Sequence, residues 1–186
     1  MMIFLILAPF GAFAGLMLLT SAAVSLFAAA AICLAVIAFD AFRGRSIKVL
    51  GAGSAVLFAA LGGYLTLVDS SLSGSAVKLT VDAGMLAISL VSLGIRRPFT
   101  LQYAREMVDA ETAELPEFLK SNYIITGAWT LAFVLMVMAN VLLIYLPGLP
   151  LWCGIAIAFA ARNSALYFTK WYPEHQRAKF AAPTAT

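Results

Sequence analysis

The sequence predicts an all-α fold: a polytopic integral membrane helical bundle of about six transmembrane helices, with an amphipathic helix in one cytoplasmic loop. Three observations lead there. Of 186 residues, 63% are hydrophobic and 11% charged, with a mean hydropathy of +0.97; a soluble domain carries about a quarter charged residues to cover its wet surface. The apolar residues fall in runs long enough to cross ~30 Å of hydrocarbon, and none alternates apolar with polar positions as barrel strands do. Lysine and arginine gather beside alternate runs. The predicted organisation is one bundle over 1–172 and a cytoplasmic tail over 173–186.

Met1 to Phe39 holds no charged side chain. One straight helix of that length would be roughly 58 Å long, nearly twice the hydrocarbon core, so the stretch must fold back. Thr20-Ser21 is the predicted break, giving spans at 2–19 and 22–41. The rival reading is a cleaved signal peptide ending at Ser21-Ala22-Ala23, which lacks the usual basic start. Four further spans follow at 49–68, 77–95, 124–146 and 151–168. Pro147-Gly148-Leu149-Pro150 turns the chain between the last two, since proline and glycine end helices.

Orientation follows from the basic residues. Arg43, Arg45 and Lys48 precede the third span, Arg96, Arg97, Arg105 and Lys120 fill the loop at 96–121, and Lys170, Arg177 and Lys179 follow the sixth span. These are ten of the twelve lysines and arginines; only Lys78 lies in an outer loop and Arg162 within a span. The positive-inside rule then puts both termini and the long loop in the cytoplasm. Tyr167, Phe168, Trp171 and Tyr172 at one end of the sixth span, with Tyr145 and Trp152 at the other, match the preference of such rings for the headgroup layer.

The loop is the one long hydrophilic passage. On a helix, residues 99–110 place Phe99, Leu101, Tyr103, Met107 and Val108 on one broad face and Gln102, Arg105, Glu106 and Asp109 on the other. An amphipathic helix on the inner membrane surface is expected, with Arg105–Asp109 as an i,i+4 ion pair. A second helix starts at Pro116-Glu117 and runs into the fifth span. Glu106, Asp109, Glu111, Glu114 and Glu117 could include a carboxylate pair for acid/base or metal chemistry. They have no histidine, glycine-rich phosphate cradle or elbow-type serine to work with. The loop therefore reads as a collar or partner surface, with Arg96, Arg97, Tyr103, Arg105 and Glu106 as its candidate interaction residues.

Within the spans, Asp82 stands out, because a carboxylate there costs about 2.5–3.5 kcal/mol on insertion scales. A snorkelling pair with Lys78, one turn away, is the simple reading; a proton or solute pathway is the alternative. Arg162 should reach phosphates or carbonyls, a direct pair with Asp82 being unexpected, and Asn140 should hydrogen-bond between helices. Gly11-x-x-x-Gly15 and the small residues Ala28 to Ala31 suit close packing within the bundle or self-association. Cys33 and Cys153 read as small hydrophobes, and Met136 and Met138 fall on different helix faces. The single histidine, His175, excludes bis-histidine haem within one chain. No cofactor or metal is expected, and the scattered basic residues do not form a nucleic-acid surface.

Several short motifs resemble the intracellular septation protein A family of small bacterial inner-membrane proteins. They are Gly62-Gly63, Lys78-Leu79-Thr80, Arg96-Arg97-Pro98, and Ala128-Trp129 with Ala139-Asn140 eleven residues beyond. The resemblance covers roughly residues 43–150. It implies a multi-span helical protein of the bacterial inner membrane, linked to cell division and envelope maintenance without catalytic activity, and adds Trp129 to the residues of interest. The longer inner loop and the tail Trp171-Tyr172-Pro173-Glu174-His175 depart from the family pattern. The function expected is thus a non-enzymatic scaffolding or support role, with the bilayer, other envelope membrane proteins or a second copy as partners. A small transporter, lipid-handling protein or ion pathway using Asp82, Asn140 and Arg162 is the alternative, and a membrane enzyme using Glu106 or Asp109 a third reading.

Overall fold

The computed structural model describes residues 2–146 and 148–181, with side-chain burial for 8–146 and 148–176. The predicted turn residue Pro147 and the side chains of Arg177 and Lys179 lie outside the described residues. All regular structure among those described is helical: α1 (Met2–Leu16), α2 (Ala22–Phe42), α3 (Val49–Leu67), α4 (Gly74–Gly94), α5 (Phe99–Ala104), α6 (Ala110–Glu114), α7 (Pro116–Tyr145) and α8 (Leu151–Ala181), with a 3₁₀ turn at Arg105–Met107 after α5.

Five of these, α2, α3, α4, α7 and α8, are long and apolar enough to cross a membrane. The sixth expected span, α1, is not among them. With 15 residues it reaches about 22 Å, short of the hydrocarbon thickness. The chain does break at the predicted dipeptide, but the helix ends earlier. Leu16 C=O accepts both the Thr20 N–H (2.7 Å) and the Thr20 hydroxyl (2.9 Å). Ser21 then takes extended backbone and its hydroxyl caps Val24 N–H to start α2. Ser73 begins α4 in the same way. Residues 116–145 form one unbroken helix, so the predicted fifth span is the far part of α7.

The helices follow one another through space as α1, α2, α3, α4, α7 and α8, with α4 lying chiefly against α7. Two apolar cores result. Phe13, Leu26, Ala29, Phe58, Leu61, Val77 and Val81 join α1–α3 to the first half of α4. Leu50, Met85, Phe99, Phe133, Met136, Ala161 and Ala165 join α4, α7 and α8 to the start of α3 and of α5. Phe10, whose ring sits 5.6 Å from that of Phe58, packs against both. Elsewhere the helix surfaces are oily: Leu34, Val56, Leu131 and Phe159 are each more than half exposed.

Close approaches come from glycines other than the predicted pair. A Cβ on Gly84 would strike Leu57 and one on Gly53 would strike Ile88, both across the α3–α4 contact, whereas Gly11 and Gly15 have open space around them. Their face of α1 is exposed. The expected packing role of Gly11 and Gly15 is therefore corrected within the bundle: the core shared by α1, α2 and α3 contains Ala29, Ala30 and Cys33 of α2 instead.

Candidate functional site

The connection between α4 and α7 does not lie flat as one amphipathic helix. Its apolar side is drawn into the end of the bundle, where Pro98, Phe99 and Leu101 are buried. The helix tightens to 3₁₀ at Arg105 and stops at extended Val108. Asp109 accepts the Thr112 N–H at 2.7 Å and caps α6, so the expected Arg105–Asp109 pair is replaced by a helix start. This N–H on the ionised form holds the Asp109 carboxyl below its ordinary value.

Two contacts lock the segment onto the α2–α3 turn. Gln102 Oε1 accepts the Val49 N–H at 2.7 Å, satisfying an otherwise open amide in the first turn of α3. Glu106, expected on a solvated face, joins a ring of alternating charges instead. Lys48 Nζ lies 2.6 Å from Asp40 Oδ2 and 3.0 Å from Glu106 Oε1. Arg45 closes the ring more loosely, 3.6 Å from Asp40 Oδ1 and 3.8 Å from Glu106 Oε2. The Lys48 side chain is only 4% exposed, Asp40 12% and Glu106 17%. Two carboxylates and two cations cancel, which is how such charge survives out of water.

Tyr103 underlies the ring, with Lys48 Nζ 5.5 Å from its centroid. Burial, and then the Asp40 charge, push the phenol above its ordinary range. Beside the ring a cavity of 40 Å³ runs between α1, α2 and α3, from Arg45, Asp40 and Lys48 toward Cys33 and Phe10. Sequence reasoning missed Asp40, Arg45, Lys48 and Gln102 as members of one site. The available signal was a lone aspartate closing an apolar run, followed by three cations before the next one.

The rim of the same end is cationic. Arg96, Arg97 and Arg105 are exposed. Arg96 has φ 58°, and is the one non-glycine residue with positive φ among those described. It stands where α4 ends: its N–H bonds Leu93 C=O at 3.0 Å and the Arg97 N–H bonds Ser92 C=O at 2.9 Å. That paired arrangement ordinarily recruits glycine, and an L-residue there gives up roughly 1 kcal/mol.

The intramembrane candidates form a second, separate group. Asn140 Nδ2 donates to Asp82 Oδ2 at 2.7 Å and to Met136 C=O at 3.0 Å. The expected Lys78–Asp82 pair does not close within 4.0 Å among the described residues; the α4–α7 contact gives Asp82 a partner across the interface instead. Arg162 is near enough for its charge and that of Asp82 to interact, again without a pair inside 4.0 Å. Further along the α4–α7 contact, Ser89 and Thr130 share a hydrogen bond at 2.7 Å. Thr126 bonds Thr100 at 2.7 Å. Trp129 Nε1 donates to Thr169 on α8 at 3.0 Å. Among the described residues no three histidine, cysteine or acidic side chains gather as metal ligands would. No family model, no curated protein and no solved structure matches the chain.

Proposed function

We propose that this chain is a multi-pass bacterial inner-membrane protein in which α1 makes a short sixth crossing, so that both termini and the 96–121 connection lie in the cytoplasm. It acts without catalysis, as a scaffold or support in cell-envelope maintenance or division, and its working surface is the rim Arg96, Arg97 and Arg105. Membrane placement is supported by five long apolar helices with oily exposed faces, since lipid tails tolerate such surfaces and water does not. Orientation is supported by the cations at one end of the bundle, and the envelope role by the motif resemblance over residues 43–150.

One observation carries the assignment of the surface: Arg96 occupies a backbone position suited to glycine. A local preference broken at an exposed charged residue points to a demand outside the fold. The connection beneath it is pinned through Gln102 and Glu106, so the three guanidinium groups are displayed from a fixed frame. Such groups suit acidic partner segments or headgroup phosphates.

The test is complementation of a strain lacking this chain by the triple variant Arg96→Gln, Arg97→Gln, Arg105→Gln. The variant should insert to normal levels yet fail to restore division or envelope integrity. Full restoration, or a deletion strain without any envelope defect, removes the reading. A cytoplasm-dependent reporter fused after Ser73 should stay dark.

A second reading is favoured by the meeting of Asp82 and Asn140 beside Arg162, three polar groups on three helices. Polar side chains inside a membrane commonly mark an ion or solute path. Reconstituted Asp82→Asn protein should then lose flux while remaining folded, and unchanged flux dismisses a pathway.

A further inference from the structure

The ionic ring of Asp40, Arg45, Lys48 and Glu106 is short of hydrogen-bond donors. Both Glu106 carboxylate oxygens are buried without a hydrogen bond, although Lys48, drawn to Asp40 at 2.6 Å, lies 3.0 Å from Glu106 Oε1. Arg45 stands 3.6 and 3.8 Å from the two carboxylates, beyond direct hydrogen-bond reach, with its side chain 34% exposed. A built polar centre with unmatched acceptors and an uncommitted guanidinium at its edge is set for a ligand that carries both signs.

The surroundings narrow the ligand. Arg45, Asp40 and Lys48 line the cavity of 40 Å³, room for about three water molecules and so for a small ammonium group. Ile47, which lines the cavity, is 59% exposed, which suits an occupant with an apolar body. The ring lies where α2 ends and α3 begins, the depth of phospholipid headgroups in the membrane placement proposed above.

The geometry points to a headgroup site for a phospholipid with a primary ammonium, of the phosphatidylethanolamine type. The ammonium sits against Asp40 and the phosphate against Arg45, while the glycerol and acyl chains leave past Ile47. Sharing Asp40 with a second ammonium releases Lys48 to align on Glu106. A purely anionic headgroup would bring no cation to the two carboxylates. A trimethylated ammonium brings no N–H donor and is too bulky for the cavity.

The experiment uses the full chain, delipidated in mild detergent and titrated by native mass spectrometry with chain-matched phosphatidylethanolamine, phosphatidylcholine and phosphatidylglycerol. Half-occupancy by phosphatidylethanolamine is expected at a concentration at least tenfold lower than for the other two. Arg45→Gln should abolish that preference. So should Gly51→Leu, which fills the cavity from a position where a Cβ meets only Ile37, at 3.9 Å. Equal retention of the three lipids by the wild-type chain overturns the site. A preference surviving both variants also overturns it, as does equally tight binding of free phosphoethanolamine. The proposal rests on membrane placement, and the two fail separately: a chain soluble without detergent defeats the placement, whereas lost headgroup discrimination in a detergent-requiring chain defeats only the site.

Discussion

Asn140 on α7 donates its amide to the Asp82 carboxylate on α4 at 2.7 Å, so the most unusual residue of the fourth helix is held by a neighbouring helix and not by its own. Asp82→Asn should lower stability by about 1 kcal/mol, within the measured range for interhelical hydrogen bonds in membranes. Asn140→Leu, which strips a half-buried carboxylate of its donor, should lower it by about 2 kcal/mol. Lys78→Gln should stay within roughly 0.5 kcal/mol, because no pair with Asp82 exists to lose. Reversible unfolding in a bilayer or mixed micelle reads all three.

Removing one member of the ionic ring should hurt more than removing a matched pair. Glu106→Ala is expected to cost about 3 kcal/mol, the lower end for breaking a buried pair, since Asp40 still holds Lys48. The double variant Lys48→Met, Glu106→Leu should recover more than about 1 kcal/mol relative to the sum of its single changes. Additivity within roughly 0.5 kcal/mol in a double-mutant cycle would show that the ring contributes no coupling.

Arg96→Gly should make the protein more stable, by about 1 kcal/mol, by placing at φ 58° the residue that conformation favours. The same change should weaken complementation. A stability gain together with a loss in the cell separates a residue kept for its charge from one kept for its fold.

Glycines should sort by the space around them. Gly11→Ala and Gly15→Ala should shift stability by less than roughly 0.5 kcal/mol, as nothing lies within 4 Å of the added carbon. Gly84→Ala drives its carbon to 2.5 Å from Leu57, and should cost about 1–3 kcal/mol unless that side chain swings clear. Thermal unfolding of the three variants in one detergent provides the ranking.

Two loop residues give opposite pH signatures. Asp109 has its carboxyl held low by the Thr112 N–H, so its cap on α6 is complete above the ordinary carboxylate value. The cap weakens as pH falls from about 4 through the lower folded value. Amide exchange over residues 110–114 should speed up there, and Asp109→Asn should remove the acid dependence. Tyr103 is held high by burial and Asp40. Above about pH 10 the unfolded chain ionises this phenol while the folded one does not. Stability therefore falls as pH rises through that region, and Tyr103→Phe should flatten the slope in alkaline unfolding curves.

The helical runs were legible in the sequence because charge is excluded from them in bulk, and the α1–α2 break because Thr20 and Ser21 offer capping oxygens. The length of α1 was not, since hydropathy continues through Leu18 and Leu19 while the Thr20 hydroxyl ends the helix at Leu16. The connection at 99–110 showed the right apolar face. Its periodicity gave no sign that Asp109 would serve better as a cap than as an ion-pair partner, nor that Gln102 and Glu106 would turn inward. Those choices depend on the Asp40–Lys48 turn, more than fifty residues away along the chain. Asp82 was recognisable as exceptional, but its partner Asn140 lies 58 positions on, beyond any helical spacing. Gly11-x-x-x-Gly15 was recognisable as a motif, yet only the placement of α1 decides whether anything faces it.

The bond from Val49 N–H to Gln102 has a consequence for biosynthesis. When the ribosome has released the first three helices, the amide that opens α3 still lacks its acceptor Gln102, and Lys48, already against Asp40, still lacks Glu106. The amino-terminal half is therefore unfinished in the bilayer until the fourth helix has been threaded and the following segment folds back. A chain halted near residue 98 should be degraded by membrane quality-control proteases faster than one extended past residue 108.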